Sequence, residues 1–577
     1  MEKTTVLPVL LQEIAAEHGG RLPPRGLVRA QAAAAKLTIA KRVAFFSSVF
    51  LVSFVLGLDF LARNSYAAFA TSSFQQHSLL ATVNVIRGVV AAASQPSIAR
   101  LTDVFGRIEV FTVAIVFIVV GTILQTFSSE AQSFSGGAVL QALGYRISTM
   151  AIEIMIADFT SVKARLLFAF TVNWPHLVNT WVSGDVVKAV LSVATWRWGL
   201  GMFAIIIPVC SIPLITFMFL LERKSQPNNG SEGEHRAAHS KASKLPSPRQ
   251  LFWDIDAIGV SLLTGALAMT LIPLTLAGGQ VSKWREPGTL APLIFGIILF
   301  PVFGFWESKV TTPLFPLHLL RNRSVWAGLG IGCLGPLAFT IHGNYLFTLL
   351  MVSYDFSVKD ATRISFLYSF CSTLIGSILG FVVFKLRRLK PFVISGTALW
   401  FAGAGMIYHY RGGVSSKAGL IGGEVIIGCA AGFFSWPTFV LVQAATPHRY
   451  LSVAISLIFT ANSLGQAVGN CVVGAIWTQT LYKILSERLA AFDERLAPAV
   501  YASPLQTVPQ YPIGTPVRDA IVESYRSIQR SLTIAAICFH ALAFILAWVL
   551  YNPKLSSEQT SLRQKMRTKS TLVGGDL

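Results

Sequence analysis

Long apolar segments alternate with short polar ones along almost the whole chain. Fourteen of them approach the ~20 residues that a helix needs to cross the hydrocarbon core of a membrane. The first runs from about residue 43 to 62 and the last from about 532 to 551, and the segment at 290–306 is the shortest. Inside a bilayer the backbone must satisfy its own hydrogen bonds, so each segment is predicted to be helical. The pattern therefore predicts an all-α membrane protein with fourteen spans.

The basic residues indicate the orientation of these spans. Every second connection is rich in Lys and Arg, as at Arg100 and Arg107 and in the run Lys385–Lys390. Such connections stay on the cytoplasmic side, which places both termini in the cytoplasm. The polar stretch 222–254 is then a cytoplasmic linker, and the long connection 477–531 lies outside.

Composition agrees with a membrane protein. Hydrophobic residues make up 53% of the 577 residues and charged residues only 13%, against about 25% charged in soluble proteins. The net charge of +20 lies largely in the loops, so the expected partner is a lipid bilayer and no nucleic acid. All six cysteines lie in apolar segments without a CxxC pair, so no disulfide, metal site or cofactor is expected. No catalytic residue pattern stands out, and the chain is not expected to be an enzyme.

A short motif follows the second predicted span. It reads Arg100-Leu-Thr-Asp103-Val-Phe-Gly106-Arg107. Gly106 permits a tight turn, Asp103 can cap or pair at a helix end, and Arg107 is expected to remain at the membrane interface. The motif resembles the loop signature of the major facilitator superfamily. That resemblance implies the major facilitator fold, with two pseudo-symmetric six-helix halves and two inserted central spans.

The expected organisation follows from these spans. Its parts are the cytoplasmic tail 1–42, the N-terminal half 43–221, the linker 222–254, the inserted spans 255–306, the C-terminal half 307–551 with its extracellular loop 477–531, and the cytoplasmic tail 552–577.

Longer stretches narrow the resemblance to the fungal siderophore–iron transporter family. Among them are LTDVFGRIE at 101–109, WRWGLGMFAIIIP at 196–208 and YPIGTPVRDA at 511–520. The resemblance implies import of ferric siderophore chelates by proton symport, as a monomer. It favours the plasma membrane, with an endosomal or vacuolar membrane as the alternative. Because the chelator supplies the iron ligands, the chain itself needs none.

Fourteen-span proton-coupled exporters of drugs, toxins or glutathione-like anions are the alternative function. They share the topology and an acidic residue on the first span, here Asp59. Their fifth span usually carries a glycine-rich signature, whereas this one reads FAFTVNWPHLVNTWVSG. The sequence therefore favours uptake.

Ionisable and polar residues within the spans are the candidates for substrate or proton binding, because burying them in a membrane is costly. The candidates are Asp59, Arg87, Arg146, Glu153, Asn173, His176, His342, Tyr345, Glu424 and, on the outer loop, Tyr511. Asp59 and Glu424 are the preferred proton carriers. The family resemblance implies that Tyr511 contacts the substrate beneath an outer lid; the alternative is that this part of the loop lies on the membrane surface. The expected gate residues are Asp103, Gly106, Arg107, Asp158 and Arg165.

Several of these residues have an equally simple structural interpretation. Arg146 and Glu153 lie two helical turns apart and could form an ion pair, and Asp59 could cap a helix end. His176 and His342 could be hydrogen-bonded core histidines. If the two deep arginines and two histidines share a cavity, it would suit an anionic substrate better than a neutral one.

Overall fold

The computed structural model describes residues 38–76, 79–159, 170–225, 247–277, 283–310, 313–315, 319–412, 416–446, 451–493 and 495–552. Fourteen helices of at least 20 residues occur within these ranges. They are α1 (Ile39–Ser73), α2 (Leu79–Phe105), α3 (Arg107–Thr126), α4 (Ala131–Phe159), α5 (Trp174–Val193), α6 (Phe203–Ser225), α7 (Ala257–Leu276), α8 (Pro287–Lys309), α9 (Arg323–Gly343), α10 (Leu367–Leu386), α11 (Lys390–Gly412), α12 (Lys417–Ala444), α13 (Leu451–Ile476) and α14 (Pro516–Val549). Shorter helices are Trp196–Gly201, Pro248–Asp254, Leu346–Tyr354, Val358–Ser365, Tyr482–Leu489, Leu496–Ala502 and Pro504–Thr507.

The all-α fold predicted from the apolar pattern is confirmed. Ten helices of the described chain are long and apolar enough to cross a membrane, or eleven if Val358–Ser365 and the bent continuation into α10 form one span. The helices α2, α5 and α13 are of comparable length but are not among these candidate spans. The number of fourteen spans therefore stays a prediction.

The long helices pack in two groups. In the first group α3 packs against α4, and α1 packs against α5 and α6; in the second, α11 packs against α12, and α9 packs against α13 and α14. The groups meet where α2 lies along α13 and where α5 contacts α10 and the helix Val358–Ser365. The domain boundaries predicted from the sequence remain predictions.

The pair α7 and α8 packs outside both groups. Helix α7 contacts α2 and α13, whereas α8 packs mainly on α7 and buries only Gly296 and Glu307 along its length. At one end of the pair, the indole Nε1 of Trp306 donates to Asp256 Oδ1 at 2.9 Å. Arg100 of α2 donates to the backbone carbonyls of Asp254 and Pro313. The first bond joins α8 to the start of α7, and the bonds of Arg100 tie the segments next to these helices to α2.

Two helices have other limits than the predicted spans. The fifth span was expected near 164–184, but α5 begins at Trp174, and residues 160–169 lie outside the described ranges. Pro175 stands in the first turn of α5, where its missing N–H costs no hydrogen bond. Asn173 and His176 therefore lie at the start of a helix and not in the middle of one. The ninth span likewise breaks after Gly343 and resumes at Leu346.

The predicted extracellular loop is largely helical. Helix α14 begins at Pro516, capped by the Thr515 side chain, and runs without a break to Val549. Ile521, Tyr525 and Ile528 in its first half are fully buried. They pack against residues 477–515, which we call the outer segment. The Ser503 hydroxyl of this segment donates to the carbonyl of Ser72 on α1 at 2.7 Å. The outer segment thus touches both groups of helices.

Candidate functional site

Asp59 lies in a closed polar network inside the first group of helices. Its side chain is fully buried and forms an ion pair with Arg63 one turn later, at 2.6 Å between Nη2 and Oδ1. Gln141 of α4 donates to the other carboxylate oxygen at 3.1 Å. Arg63 also donates to Thr122 and Gln125 of α3. A buried charge pair is tolerated when further hydrogen bonds satisfy it, as here.

Arg87 lies on α2 where the two groups of helices meet. It donates to Asn84 at 3.3 Å, and Asn84 in turn donates to Asn344 Oδ1 at 3.0 Å. Asn344 directly follows the end of α9. Arg146 on α4 crosses the same boundary and donates to Gln466 of α13 at 3.1 Å. Arg146 is therefore hydrogen-bonded to the opposite group of helices, while Glu153 lies two turns along α4.

His342 and Glu424 are brought together inside the second group. The imidazole Nδ1 lies 3.8 Å from Glu424 Oε1, and both side chains are buried. The His342 ring meets Phe339 edge-on, and Phe339 stacks on Tyr368 at 3.9 Å between ring centroids. Tyr368 and Cys371, both on α10, lie within electrostatic range of Glu424. Two candidates that are 82 positions apart in sequence thus form one pair.

His176 lies against α1, with its ring edge near Gly57: a Cβ at this glycine would stand 3.5 Å from the imidazole Cε1. Asn179, one turn later on α5, donates to the Phe54 carbonyl at 2.8 Å. Asn173 stands just before α5 and is half-buried. His176 and His342 belong to different groups of helices.

Tyr345 and Tyr511 lie at the outer segment. The Tyr345 ring is buried and stacks on Trp477 at 3.7 Å between centroids, and Trp477 meets Tyr525 of α14 edge-on. Tyr511 is half-buried, and its backbone carbonyl accepts from Arg518 Nη1 at 3.5 Å. Tyr345 therefore supports the outer segment through its ring.

An ion-pair cluster joins the two groups of helices between α5 and the helix Val358–Ser365. Asp185 of α5 contacts Lys359 at 2.5 Å and Arg363 at 2.6 Å, both on the helix Val358–Ser365. Arg363 also donates to the Trp181 carbonyl at 3.1 Å. One turn from Lys359, the hydroxyl of Thr362 lies 3.0 Å from that of Ser65 on α1. These residues are not among the candidates predicted from the sequence, because nothing in the sequence pairs positions so far apart.

The structure describes only part of the predicted gate residues. Gly106 separates α2 from α3 with a φ of 119°, a backbone conformation that favours glycine. Arg107 is buried, and it donates to the Thr102 carbonyl at 2.9 Å. The side chains of Asp103 and Asp158, and all of Arg165, lie outside the described residues.

Comparison with known proteins decides the family. A family model described as Major Facilitator Superfamily matches residues 43–470. The chain belongs to the major facilitator superfamily. It is 37% identical over 513 residues to siderophore iron transporter ARN1 of Saccharomyces cerevisiae, covering 88% of this chain and 81% of that protein. It is 30% identical over 528 residues to siderophore iron transporter mirC of Emericella nidulans, covering 91% and 86%. Within the superfamily the chain thus belongs to the fungal siderophore iron transporter family, and the resemblance read from the motifs is confirmed.

Solved structures of other major facilitators share the fold. A bacterial homolog of the human lysosomal transporter Spinster, in an inward-facing and unoccupied conformation, has a TM-score of 0.55 at 13% identity, covering 89% of this chain and 98% of that one. The human organic anion transporter MFSD10 has a TM-score of 0.51, also at 13% identity, covering 88% and 100%. At this identity the likeness concerns the fold alone.

Proposed function

We propose that this major facilitator imports ferric siderophore chelates by proton symport. The observation that carries the proposal is the identity of 37–38% over most of the chain with proteins named siderophore iron transporters. A bulky chelate of low net charge gains little from the membrane potential by itself. Uphill uptake therefore needs a coupled ion, and each charge moved supplies about 2.3 kcal/mol per 100 mV.

The pair His342–Glu424 is the proposed proton site. A carboxylate and an imidazole 3.8 Å apart in a buried position can hold a proton between them and release it when water enters, because their charged forms are costly in low dielectric. Asp59 fits this role less well. Its charge is matched by Arg63, and both of its oxygens already accept hydrogen bonds.

The contacts across the outer side form the proposed outer gate. Asp185 with Lys359 and Arg363, Ser65 with Thr362, and Ser503 with Ser72 all join the first group of helices to residues of the second half. Rocking of the two halves about a central site is how major facilitators alternate access. These contacts would therefore break when the site opens outward, and the outer segment would act as the lid.

Uptake of a radiolabelled ferric trihydroxamate tests the proposal, in fungal cells whose own siderophore carriers are deleted. Cells expressing the chain should accumulate iron, and a protonophore should abolish accumulation. An exporter would give the reverse, with expressing cells retaining less cargo and the protonophore raising their content. A fluorescent fusion in the same cells would identify the membrane, which we propose is the plasma membrane. The mass of the purified protein in detergent would test the proposed monomer.

A further inference from the structure

Arg87, Asn84 and Asn344 form a chain of hydrogen bonds with a fixed direction. Arginine only donates, so the amide oxygen of Asn84 must face Arg87 and its nitrogen must face Asn344. The distances of 3.3 Å and 3.0 Å follow this order. The oxygen of Asn344 is thereby used, and its nitrogen is left as a donor.

This row of hydrogen bonds ends in nitrogen donors that have no acceptor. Among the described residues, Nε and Nη2 of Arg87 and Nδ2 of Asn344 are buried and have no hydrogen-bond partner. A buried donor without an acceptor costs roughly 1–3 kcal/mol, and more when it is charged. These three nitrogen donors therefore favour a ligand that brings oxygen acceptors.

Arg87 also has no carboxylate of its own among the described residues. The charged groups of the described chain that act on it are Arg63 and Asp59, and the Asp59 carboxylate is already bound by Arg63 and Gln141. A single carboxylate is thus available to neutralise two guanidinium groups. A buried charge without a counter-charge is strongly unfavourable, so the missing acceptor should also be anionic.

The position of Arg87 suits a ligand that contacts both halves. The neighbouring residue, Gly88, lies against α13 so closely that a Cβ at this glycine would stand 2.8 Å from the Cβ of Ala467. Arg146 binds Gln466, the residue before Ala467. Gly88, next to Arg87, and Arg146 therefore contact one turn of α13, at the boundary between the two groups of helices.

We propose that Arg87, with Asn84 and Asn344, binds a free carboxylate on the periphery of the ferric chelate. The inference rests on the proposed function and adds a substrate class to it, namely chelates that carry an acidic substituent. The oxygens that coordinate iron already share their charge with the metal. A free carboxylate offers two oxygens to a guanidinium, and such charge-assisted pairs are the strongest hydrogen bonds available here.

Binding to the purified full-length protein tests this assignment, measured by quenching of tryptophan fluorescence. The probes are a ferric trihydroxamate with one free carboxylate and its methyl ester. The wild-type chain should bind the acid more tightly than the ester by roughly ten- to a hundredfold, the range expected for one buried charge-assisted contact. Arg87→Gln should lose this preference and keep its affinity for the ester. Arg87→Lys keeps the positive charge but lacks the paired N–H donors of the guanidinium, so it should retain part of the preference.

Arg197→Gln is the matched control, because Arg197 packs on Trp196 and donates to the Ser128 carbonyl away from this boundary. It should keep the full preference for the acid. Equal binding of acid and ester by the wild type, or an unchanged preference in Arg87→Gln, overturns the inference. If the wild type nevertheless accumulates the ester in cells, the proposed function stands without the carboxylate assignment. If the wild type neither binds nor takes up either probe, both the assignment and the proposed function are refuted.

Discussion

Asp185 and Arg363 lie 178 positions apart in sequence, yet their side chains meet at 2.6 Å across the boundary between the two halves. Lys359 contacts the other oxygen of the same carboxylate at 2.5 Å. Asp185 is half exposed, so each pair contributes little by itself, typically about 0.2–1 kcal/mol. The cluster is therefore suited to a contact that forms and breaks during each transport cycle.

Asp185→Asn should shift the protein toward the outward-open state. Loss of two exposed pairs is expected to change the equilibrium about two- to tenfold, and less at high salt because ions screen the wild-type contact. The measurement is the rate at which a water-soluble maleimide modifies Ser65→Cys, compared with the chain that lacks this added cysteine. The control is Asp360→Asn, since Asp360 exchanges hydrogen bonds with Ser357, the N-cap of its own helix. An unchanged rate in Asp185→Asn would argue against the gate.

Asp59→Asn should destabilise the protein through its partner. The substitution leaves Arg63 buried without a counter-charge, which typically costs about 3–5 kcal/mol. The double variant Asp59→Asn with Arg63→Met should be more stable than Asp59→Asn alone, because it removes the unmatched charge. Thermal unfolding in detergent measures both. If the single and double variants unfold at the same temperature, the two residues are not coupled as the structure indicates.

Gly106→Ala should destabilise the connection between α2 and α3. A φ of 119° with a ψ of 156° is open almost only to glycine, and forcing another residue there costs about 1–3 kcal/mol. A Cβ at this position would also meet the Glu109 carboxylate. We expect slower transport and a lower unfolding temperature, measured at matched surface expression. Gly136→Ala is the control, since a Cβ there meets nothing within 4 Å.

The sequence predicted the helices better than the site, for a physical reason. Apolar length fixes a spanning helix locally, and the gate turn at Gly106 follows from one residue's backbone freedom. Arg63 could also have been found, since it stands four residues after Asp59 on one helix and such pairs face each other. The pairing of Arg146 with Gln466, or of His342 with Glu424, depends on how distant helices rotate against each other. No local pattern carries that information.

The paired placement of His342 and Glu424 leads to the sharpest test of proton coupling. One proton that moves through 100 mV supplies about 2.3 kcal/mol, enough for roughly a fiftyfold accumulation of a neutral chelate. Glu424→Gln should keep binding and exchange of the chelate across the membrane but lose this accumulation, because the amide cannot release a proton inside. His342→Gln should weaken accumulation less, since the carboxylate remains.

The dependence of uptake on external pH distinguishes a loss of proton coupling from a general loss of transport activity. Wild-type uptake should fall as the external pH rises, because fewer carriers load a proton from outside. Residual entry through Glu424→Gln should not depend on external pH. The control is Glu523→Gln: Glu523 is exposed and pairs with Arg488 of the outer segment, so this variant should retain both the accumulation and the pH dependence. If Glu424→Gln still accumulates chelate with the wild-type pH profile, the proton is carried elsewhere, and Glu153 on α4 becomes the next residue to replace.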